Sequence, residues 1–325
     1  MTAASTASTH PAGPLQEPSG EPQNVPFDRR RYVRVVRYFA GAFAHLIFWE
    51  IVLRGLLGRG FVERSAPRRW GRLARRFRKL AVELGGVLIK LGQFLSIRVD
   101  VLPRAVTEEL AGLQDEVLPE SLADIQTVIE AEFNQSMDQV FPWFAPHPEA
   151  AASLAQVHRA RLLTGDEVVV KVQRPRIHEI VETDLRAIAT AIRWLKRYRP
   201  ISRRVNLDRL YAEFSGTTRK ELDFVAEAEH AERFALNFAD DAQIRIPRVY
   251  AQSSTRRVLI MENVASIKIT EFVAIVAAGI RRLEVARCLF DTYLTQVFVH
   301  NFVHADHHPG NLFVQPLPPI LGFLG

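Results

Sequence analysis

A hairpin pattern in the middle of the chain places the strongest constraint on the fold. An alternating run ends at Leu162, a Thr-Gly-Asp turn occupies 164–166, and a second apolar run continues through Lys171. Two such runs joined by a glycine-containing turn are typical of a β-hairpin. Three valines, residues 168–170, directly precede the lysine. We therefore expect the Lys171 side chain to be presented from a buried strand.

A small-residue stretch stands directly before this hairpin, made up of Ala150, Ala151, Ala152 and Ser153. Small side chains let a backbone approach a ligand closely, but alanine lacks the freedom of glycine at positive φ. The sequence therefore predicts a stiff loop, whose amide groups are aimed less freely at a bound anion than those of a glycine-rich loop.

The composition describes a globular chain with a basic excess. It has 325 residues, of which 48% are hydrophobic and 24% charged, enough for a full core in about two or three domains. Its single cysteine, Cys288, excludes a disulfide framework and fits a reducing compartment. The formal net charge of +6 predicts an anionic partner.

Most of the basic excess lies near the N-terminus. Residues 1–28 are rich in Ala, Ser, Thr, Pro and Gly and predict a disordered leader. Residues 29–72 predict a basic amphipathic segment on an anionic membrane surface, peripheral on the cytoplasmic face, with headgroup-level arginines at positions 29, 30, 31, 34 and 37. His45 and Glu50 interrupt the apolar run, so we expect no bilayer span. An ordinary helix packed on the domain is an equal alternative, and nucleic-acid binding is not expected, because no aromatic stacking platform accompanies the arginines.

Residues 73–140 have helical periodicity throughout. Lys90 and Gln93 are three residues apart and share one helix face. Pro103 predicts the start of a second helix, and Ser121 the cap of a third. A buried lysine with a polar partner, without a catalytic role, is the alternative interpretation of Lys90.

Residues 206–237 predict one long helix that carries Glu221, Asp223 and Glu227. Protein kinases pair a strand lysine with a helix carboxylate, which holds the lysine over the nucleotide phosphates. Glu227 can fill that position for Lys171.

The stretch VHADHHPGNLFVQ contains His304, Asp306 and Asn311 in the spacing H-x-D-x-x-x-x-N. This is the spacing of a kinase catalytic loop, in which the aspartate handles the acceptor and the asparagine ligates Mg²⁺. A zinc site built from His304, Asp306, His307 and His308 is less favoured, because adjacent histidines point in different directions. A polar loop without chemistry is the remaining alternative.

Five motifs in this order resemble the UbiB family of atypical protein-kinase-like proteins. They are K-x-G-Q at 90–93, the alanine-rich loop at 150–153, V-V-K ending at 171, E-x-D at 221–223 and H-A-D-x-H-P-G-N at 304–311. The resemblance covers about residues 75–325. It implies a kinase-like α+β fold with a helical N-terminal extension and an incomplete C-lobe, and a link to coenzyme Q or other isoprenoid lipids and the proteins that make them.

The resemblance also implies ATP and Mg²⁺ as cofactors and assigns roles to individual residues. Lys171 is the nucleotide lysine, Glu227 its helix partner, Asp306 the catalytic-loop aspartate and Asn311 a Mg²⁺ ligand. Nucleotide contacts also fall to the alanine-rich loop at 150–153 and to the E-x-D residues, Glu221 and Asp223. The extension with Lys90 would fold over the active site with Glu221 and Asp223, and a contact of Lys90 with one of these carboxylates could hold it across the nucleotide cleft. It would then occupy the place of a protein substrate, which favours ATP hydrolysis or small-molecule phosphorylation.

One departure from the family pattern concerns the magnesium aspartate. The D-F-G position, roughly fifteen residues after Asn311, is taken by Leu321-Gly322-Phe323, which has no carboxylate. We expect impaired turnover with nucleotide binding retained, in a truncated, altered or degenerate family member. A nucleotide-binding scaffold is therefore the alternative function, and exposed apolar surface is expected on the partial C-lobe.

The sequence divides into five predicted regions. They are a leader at 1–28, the membrane-associating segment at 29–72, the K-x-G-Q extension at 73–140, a kinase-like N-lobe at 141–265 and a partial C-lobe at 266–325.

Overall fold

The computed structural model describes residues 26–100, 102–114, 117–203, 205–304, 309–316 and 320–323. Within these ranges helices and two β-sheets alternate along the chain, which confirms the predicted α+β class. Most of the predicted leader, residues 1–25, lies outside them.

The N-terminal region is helical, as predicted. Its helices are α1 (Arg29–Ile47), a π-helical turn (Phe48–Leu53), α2 (Arg54–Leu57), α3 (Arg59–Leu84), α4 (Val87–Ser96) and α5 (Arg104–Ala111). The Asp28 carboxylate caps α1 by accepting from the Arg31 amide at 2.9 Å. Gly85 and Gly86, both at φ 63°, separate α3 from α4 in a conformation that favours glycine. Pro103 is the N-cap of α5, as its position predicted.

Close packing explains the glycine of the K-x-G-Q motif. A β-carbon at Gly92 would lie 2.2 Å from Cδ1 of Leu113 and 3.3 Å from Cε1 of Phe77. Only glycine therefore lets α4 approach these two buried side chains as closely as it does.

Arg31 is buried rather than available to lipid headgroups, and this corrects the expectation for that arginine. Its guanidinium donates two hydrogen bonds of 2.7 Å to the Asp184 carboxylate. It also donates to the carbonyl oxygens of Leu84 at 2.7 Å and Gly85 at 3.1 Å, at the end of α3. Arg34 forms an ion pair with Glu83, whereas Arg29, Arg30 and Arg37 are exposed.

The first sheet follows α6 (Leu122–Phe133) and α7 (Met137–Val140). Its antiparallel strands are β1 (Trp143–Phe144), β2 (Ala150–Ala151), β3 (Ala155–Arg161), β4 (Glu167–Gln173) and β6 (Val258–Glu262). The predicted hairpin is confirmed as β3 and β4, with Val157 opposite Lys171. Ser121 caps α6, as predicted, by accepting from the Asp124 amide at 3.2 Å.

Alternation along β4 sends its side chains to two different cores. Val168, Val170 and Val172 pack with the apolar face of α6 in one cluster. Val169 faces the other way, with Phe224 and Ala228. Because Lys171 shares the face of Val169, its side chain projects from a buried strand, as expected.

Four helices connect the two sheets: α8 (Ile177–Leu195), α9 (Arg199–Ser202), α10 (Leu207–Lys220) and α11 (Phe224–Asn237). The single helix predicted over 206–237 is therefore wrong, since the helix breaks at 221–223. The break has two local causes: Leu222 is drawn into the N-terminal core, and Asp223 caps a new helix through the Ala226 amide at 3.2 Å.

The second sheet contains β5 (Ile244–Arg245), β7 (Ile267–Lys268), β8 (Leu312–Gln315) and β9 (Ile320–Phe323). Its strand order is β5-β9-β8-β7, with β5 parallel to β9 and the other pairs antiparallel. Beside it lie α12 (Phe272–Ala277), α13 (Arg282–Thr295) and a π-helical turn (Gln296–His300). β5 falls inside the predicted N-lobe range but joins the sheet of the C-lobe.

Candidate active site

The predicted lysine and glutamate meet across the first sheet and α11. Lys171 Nζ lies 2.5 Å from Glu227 Oε1, and the two side chains are 20% and 22% exposed. The ammonium also lies 5.1 Å from the centroid of the Phe224 ring. In the neighbouring strands, Val157 and Leu259 are the residues opposite the lysine. The result is an ion pair, open to solvent, on an apolar floor.

The alanine-rich loop forms a tight turn beside this pair. Ala150 and Ala151 pair with Val157 and Gln156 of β3, and the Ala152 amide donates to the Ala155 carbonyl at 2.8 Å. Positive φ among the described non-glycine residues occurs at Asn134, Arg176 and Asn301, which do not belong to this turn. The turn therefore forms without the backbone conformation that would require glycine.

The break between α10 and α11 is fixed to the strand that carries Lys171. The buried Gln173 side chain donates from Nε2 to the Leu222 carbonyl at 2.7 Å and to the Arg256 carbonyl at 3.1 Å. Sequence analysis missed Gln173. Its position two residues after Lys171, on the same face of β4, is the only local signal of its role.

The second predicted lysine also reaches a carboxylate at this break. Lys90 Nζ on α4 donates to both carboxylate oxygens of Glu221, the C-cap residue of α10. The lysine side chain is 18% exposed and that of the glutamate 45%. The predicted contact between the extension and the E-x-D motif is thus present. Asp223, the third residue of that motif, has one carboxylate oxygen committed to capping α11.

The catalytic-loop motif is described in part. The predicted catalytic Asp306 lies outside the described residues, as do His307 and His308 of the alternative zinc site. The His304 ring packs edge-on against Phe234 at 6.0 Å, and the His304 amide donates to Oε1 of Gln296 at 2.9 Å. Asn311 ends a 3₁₀ turn and leads directly into β8.

Residues 321–323, expected at the D-F-G position, belong to β9. Leu321 pairs with Val314 and Gly322 with Phe313 in the antiparallel ladder of β8 and β9. β9 thus runs antiparallel to β8, the strand that follows the catalytic-loop motif.

Residues 112–323, more than half of the chain, match the family described as ABC1 atypical kinase-like domain. The chain belongs to the ABC1 atypical kinase-like family. The UbiB resemblance and the kinase-like fold with a helical N-terminal region are thereby confirmed.

The chain is similar in sequence to several other proteins of the ABC1 type. It is 37% identical over 290 residues to an uncharacterized Synechocystis protein, and the aligned residues make up 88% of this chain and 49% of the relative. It is 38% identical over 258 residues to the chloroplastic Protein ACTIVITY OF BC1 COMPLEX KINASE 8 of Arabidopsis thaliana, covering 79% and 34%. It is 36% identical over 239 residues to a probable protein kinase UbiB of Cellvibrio japonicus, covering 74% and 43%. The chain thus spans half or less of the length of these three relatives.

A solved structure shares the architecture. Rv3197 of Mycobacterium tuberculosis, determined in complex with erythromycin, aligns with a TM-score of 0.51 at 25% identity. The alignment covers 83% of this chain and 66% of the other.

A buried polar network, also missed by sequence analysis, ties the alanine turn of the ABC1 domain to the N-terminal extension. Arg174 donates from Nε to the Ala152 carbonyl at 3.0 Å and from a terminal nitrogen to the Leu118 carbonyl at 2.6 Å. Its other terminal nitrogen forms an ion pair with Glu120. Arg174 therefore joins the turn to the extension through hydrogen bonds to backbone carbonyls, which no sequence pattern reveals.

The network continues through two fully buried residues of β3. Gln156 accepts from the Glu120 amide at 2.9 Å and donates to Nε2 of His158 at 2.8 Å. His158 in turn donates from Nδ1 to the Ala145 carbonyl at 2.9 Å. Burial lowers the pKa of His158, while the hydrogen bond to Ala145 opposes this effect. The network therefore holds a neutral imidazole, because a second ring proton would face the amide nitrogen of Gln156.

Proposed function

We propose that this chain binds Mg-ATP between the first sheet and the catalytic-loop motif, and that it acts as an atypical kinase or ATPase of the UbiB type. The observation that carries the proposal is the Lys171 to Glu227 ion pair, partly exposed beside the alanine turn. An apolar floor with a few convergent polar groups is typical of a site for a small ligand such as an adenine nucleotide.

Each site residue has a defined task in this proposal. Lys171 neutralises the phosphates while Glu227 holds its ammonium in place, and the stiff turn at 150–153 lies over the phosphates. Asn311 offers a carboxamide oxygen, a ligand that suits Mg²⁺, and Asp306 handles the acceptor. Bound Mg²⁺ supplies positive charge to the phosphoryl oxygens.

The extension favours a small acceptor over a protein substrate. The Lys90 to Glu221 contact fixes α4 to the helix break, and Phe224 beside that break touches Lys171. Lys90 therefore adds positive charge near the nucleotide and restrains the position in which the nucleotide binds. With Glu221 and Asp223 it occupies space that a protein substrate would need.

The proposed setting is the cytoplasmic face of a membrane, with an isoprenoid lipid or proteins of lipid biosynthesis as partners. Relatives named as probable protein kinase UbiB and one apolar N-terminal helical run support this setting. The run, Arg29–Leu56, has 28 residues and a mean hydropathy of 1.4 in its most apolar window. By length and composition it could cross a membrane, so the expectation that it is too interrupted to do so is not supported.

A catalytically impaired nucleotide-binding scaffold is the second candidate. It is favoured by the residues at 321–323, which include no carboxylate where the family motif has aspartate. Nucleotide binding without turnover would distinguish the scaffold from the enzyme.

Calorimetric titration with Mg-ATP tests the nucleotide site. Lys171→Ala should weaken binding by about 10-fold to 100-fold, since a hydrogen bond to a charged group contributes about 1.5 to 3 kcal/mol. Glu227→Gln should have a smaller effect, because the lysine remains. Lys268→Ala, which removes an exposed strand lysine of the second sheet, is the matched control and should bind like the parent. Unchanged affinity in folded Lys171→Ala protein would overturn the assignment.

A further inference from the structure

The first three helices form an antiparallel hairpin. α1, the π-helical turn and α2 run outward, and α3 returns along them. Near the base Arg34 pairs with Glu83, and in the middle the Tyr38 hydroxyl donates to the Leu73 carbonyl at 2.9 Å. Near the tip the rings of Trp49 and Phe61 stack with centroids 6.4 Å apart. We call residues 48–61 the hairpin tip.

The base of the hairpin is fixed to the body of the protein. The buried pair of Arg31 and Asp184 joins α1 to α8, and the Tyr32 hydroxyl lies 3.1 Å from that of Thr190. Although the run Arg29–Leu56 is long enough to span a bilayer, its first turn is therefore engaged in protein contacts. These contacts favour partial insertion over a complete span.

The hairpin tip presents large apolar side chains to solvent. Five of them are 45% to 74% exposed, namely Phe48, Ile51, Val52, Leu56 and Phe61. A contiguous apolar patch of this kind marks an interaction site with a protein or a membrane.

The polar groups of the tip region are neutralised within the hairpin. The Glu50 carboxylate lies 3.6 Å from both Arg54 and Arg69, and Arg69 lies over the Trp49 ring at 4.2 Å. Burial lowers the pKa of His45, and nearby arginines lower it further, so its imidazole is uncharged at neutral pH. Both residues that interrupt the apolar run are thus compatible with an apolar environment.

A row of arginines follows the tip along α3. Arg59 at the turn and Arg64, Arg68 and Arg72 behind it are exposed, and they form no ion pair within the described residues. Like charges four residues apart destabilise a helix, so an anionic partner would relieve a standing repulsion. At 1.5 Å per residue, positions 64 to 72 lie roughly 9 to 21 Å from Gly58 at the turn. The row also contains one exposed acid, Glu63.

We propose that the hairpin tip inserts into one leaflet of an anionic bilayer, with Arg64, Arg68 and Arg72 on the headgroup phosphates. This inference rests on the membrane setting proposed above and names the surface that creates it. The apolar tip supplies the buried area, and the arginine row behind it supplies the charge complementarity.

Co-sedimentation of the full chain with vesicles of phosphatidylcholine and phosphatidylglycerol tests the surface. Phe48→Ser with Leu56→Ser should lower the partition coefficient by about tenfold or more, because the burial of two large apolar side chains is lost. Leu283→Ser with Phe298→Ser removes side chains that are 78% and 77% exposed in the C-lobe, and should bind vesicles like the parent. Equal loss in both pairs would overturn the assignment of the tip.

The arginine row has its own matched pair of variants. Replacing residues 64, 68 and 72 by Gln should lower binding to the anionic vesicles, as raised salt does for the parent. Replacing Arg199, Arg256 and Arg287, three exposed arginines elsewhere, should lower it much less. Equal effects would reduce the row to a general contribution of net charge and contradict its headgroup role.

Insertion itself is read from Trp49 at the tip. Lipids brominated on the acyl chains should quench the parent fluorescence, and Trp49→Phe should remove most of that quenching. Quenching that is undiminished in Trp49→Phe would show that other tryptophans supply it and that the tip stays outside the hydrocarbon. Parent protein that fails to sediment would instead remove the membrane setting as a whole. Lipid-free dimers that the Phe48 and Leu56 replacements dissociate, with vesicle binding unchanged, would assign the tip to a second copy of the chain.

Discussion

The first sheet and the C-lobe helices contain similar apolar side chains but differ in what covers them. Val168, Val170 and Val172 of the first sheet are fully buried beneath α6. Leu283, Phe290 and Phe298 of the C-lobe are 62% to 78% exposed. The exposed apolar surface expected on the C-lobe is therefore present. Apolar content therefore specifies a core only where another element of the chain packs against it.

The largest expected effect contrasts a buried ion pair with an exposed one. Asp184→Asn leaves the Arg31 guanidinium buried without its counter-charge, and should lower the free energy of unfolding by about 3 to 5 kcal/mol. Glu284→Gln breaks the exposed C-lobe pair with Arg281 and should leave the denaturation midpoint unchanged. Urea denaturation measures both variants. Similar denaturation midpoints for Asp184→Asn and Glu284→Gln would contradict the predicted difference between the buried and the exposed ion pair.

The next prediction compares apolar truncations in the two regions. Ile260 on β6 is fully buried, so Ile260→Ala should cost about 2 to 5 kcal/mol through lost burial and a residual cavity. Phe298→Ala removes a side chain that is 77% exposed and should change stability by less than about 0.5 kcal/mol. A comparable loss of stability in Phe298→Ala would mean that the C-lobe surface is covered in solution.

The smallest expected effect is a pH dependence located in the first sheet. Burial holds the pKa of His158 below its ordinary value, so the unfolded chain binds a proton first as the pH falls. Stability should therefore be complete above about pH 6.5 and should decline below it until the folded protein also takes up the proton.

Melting temperatures between pH 7.5 and 5.5 measure this dependence. His158→Gln should reduce the decline without abolishing it, because burial also lowers the pKa of His178. His147→Gln, which replaces an exposed imidazole, serves as the control and should keep the parent profile. An unaltered decline in His158→Gln would exclude His158 as a source of the pH dependence.

The sequence predicted those features that depend on local pattern. The β3–β4 hairpin follows from alternation around a glycine turn. The position of Ser121 at the start of α6 follows from the preference of serine for helix N-caps. The contacts of Lys171 and Lys90 with glutamates followed from the order of the motifs. What each lysine does chemically remains a prediction, as does every role of Asp306.

The features that could not be predicted depend on partners far away in the chain. Arg31 looks like an ordinary member of a basic cluster until α8 places Asp184 against it. Gln173 binds the Leu222 carbonyl at the break after α10, a contact that helical periodicity does not reveal. Arg174 binds backbone carbonyl oxygens, and every residue type has one, so the sequence does not indicate these partners.

The hydrogen bond of Gln173 to Leu222 has a mechanical consequence for the cleft. β4 binds the segment from Leu222 to Glu227 at both ends, because Gln173 contacts Leu222 and Lys171 contacts Glu227. A rigid body pinned at two points keeps only the rotation about the line that joins them. The start of α11 can therefore roll about this axis, but a swing away from the sheet must break both attachments. Because Glu221 lies next to the pinned segment, such a swing would also pull on Lys90 and carry the motion into the N-terminal extension.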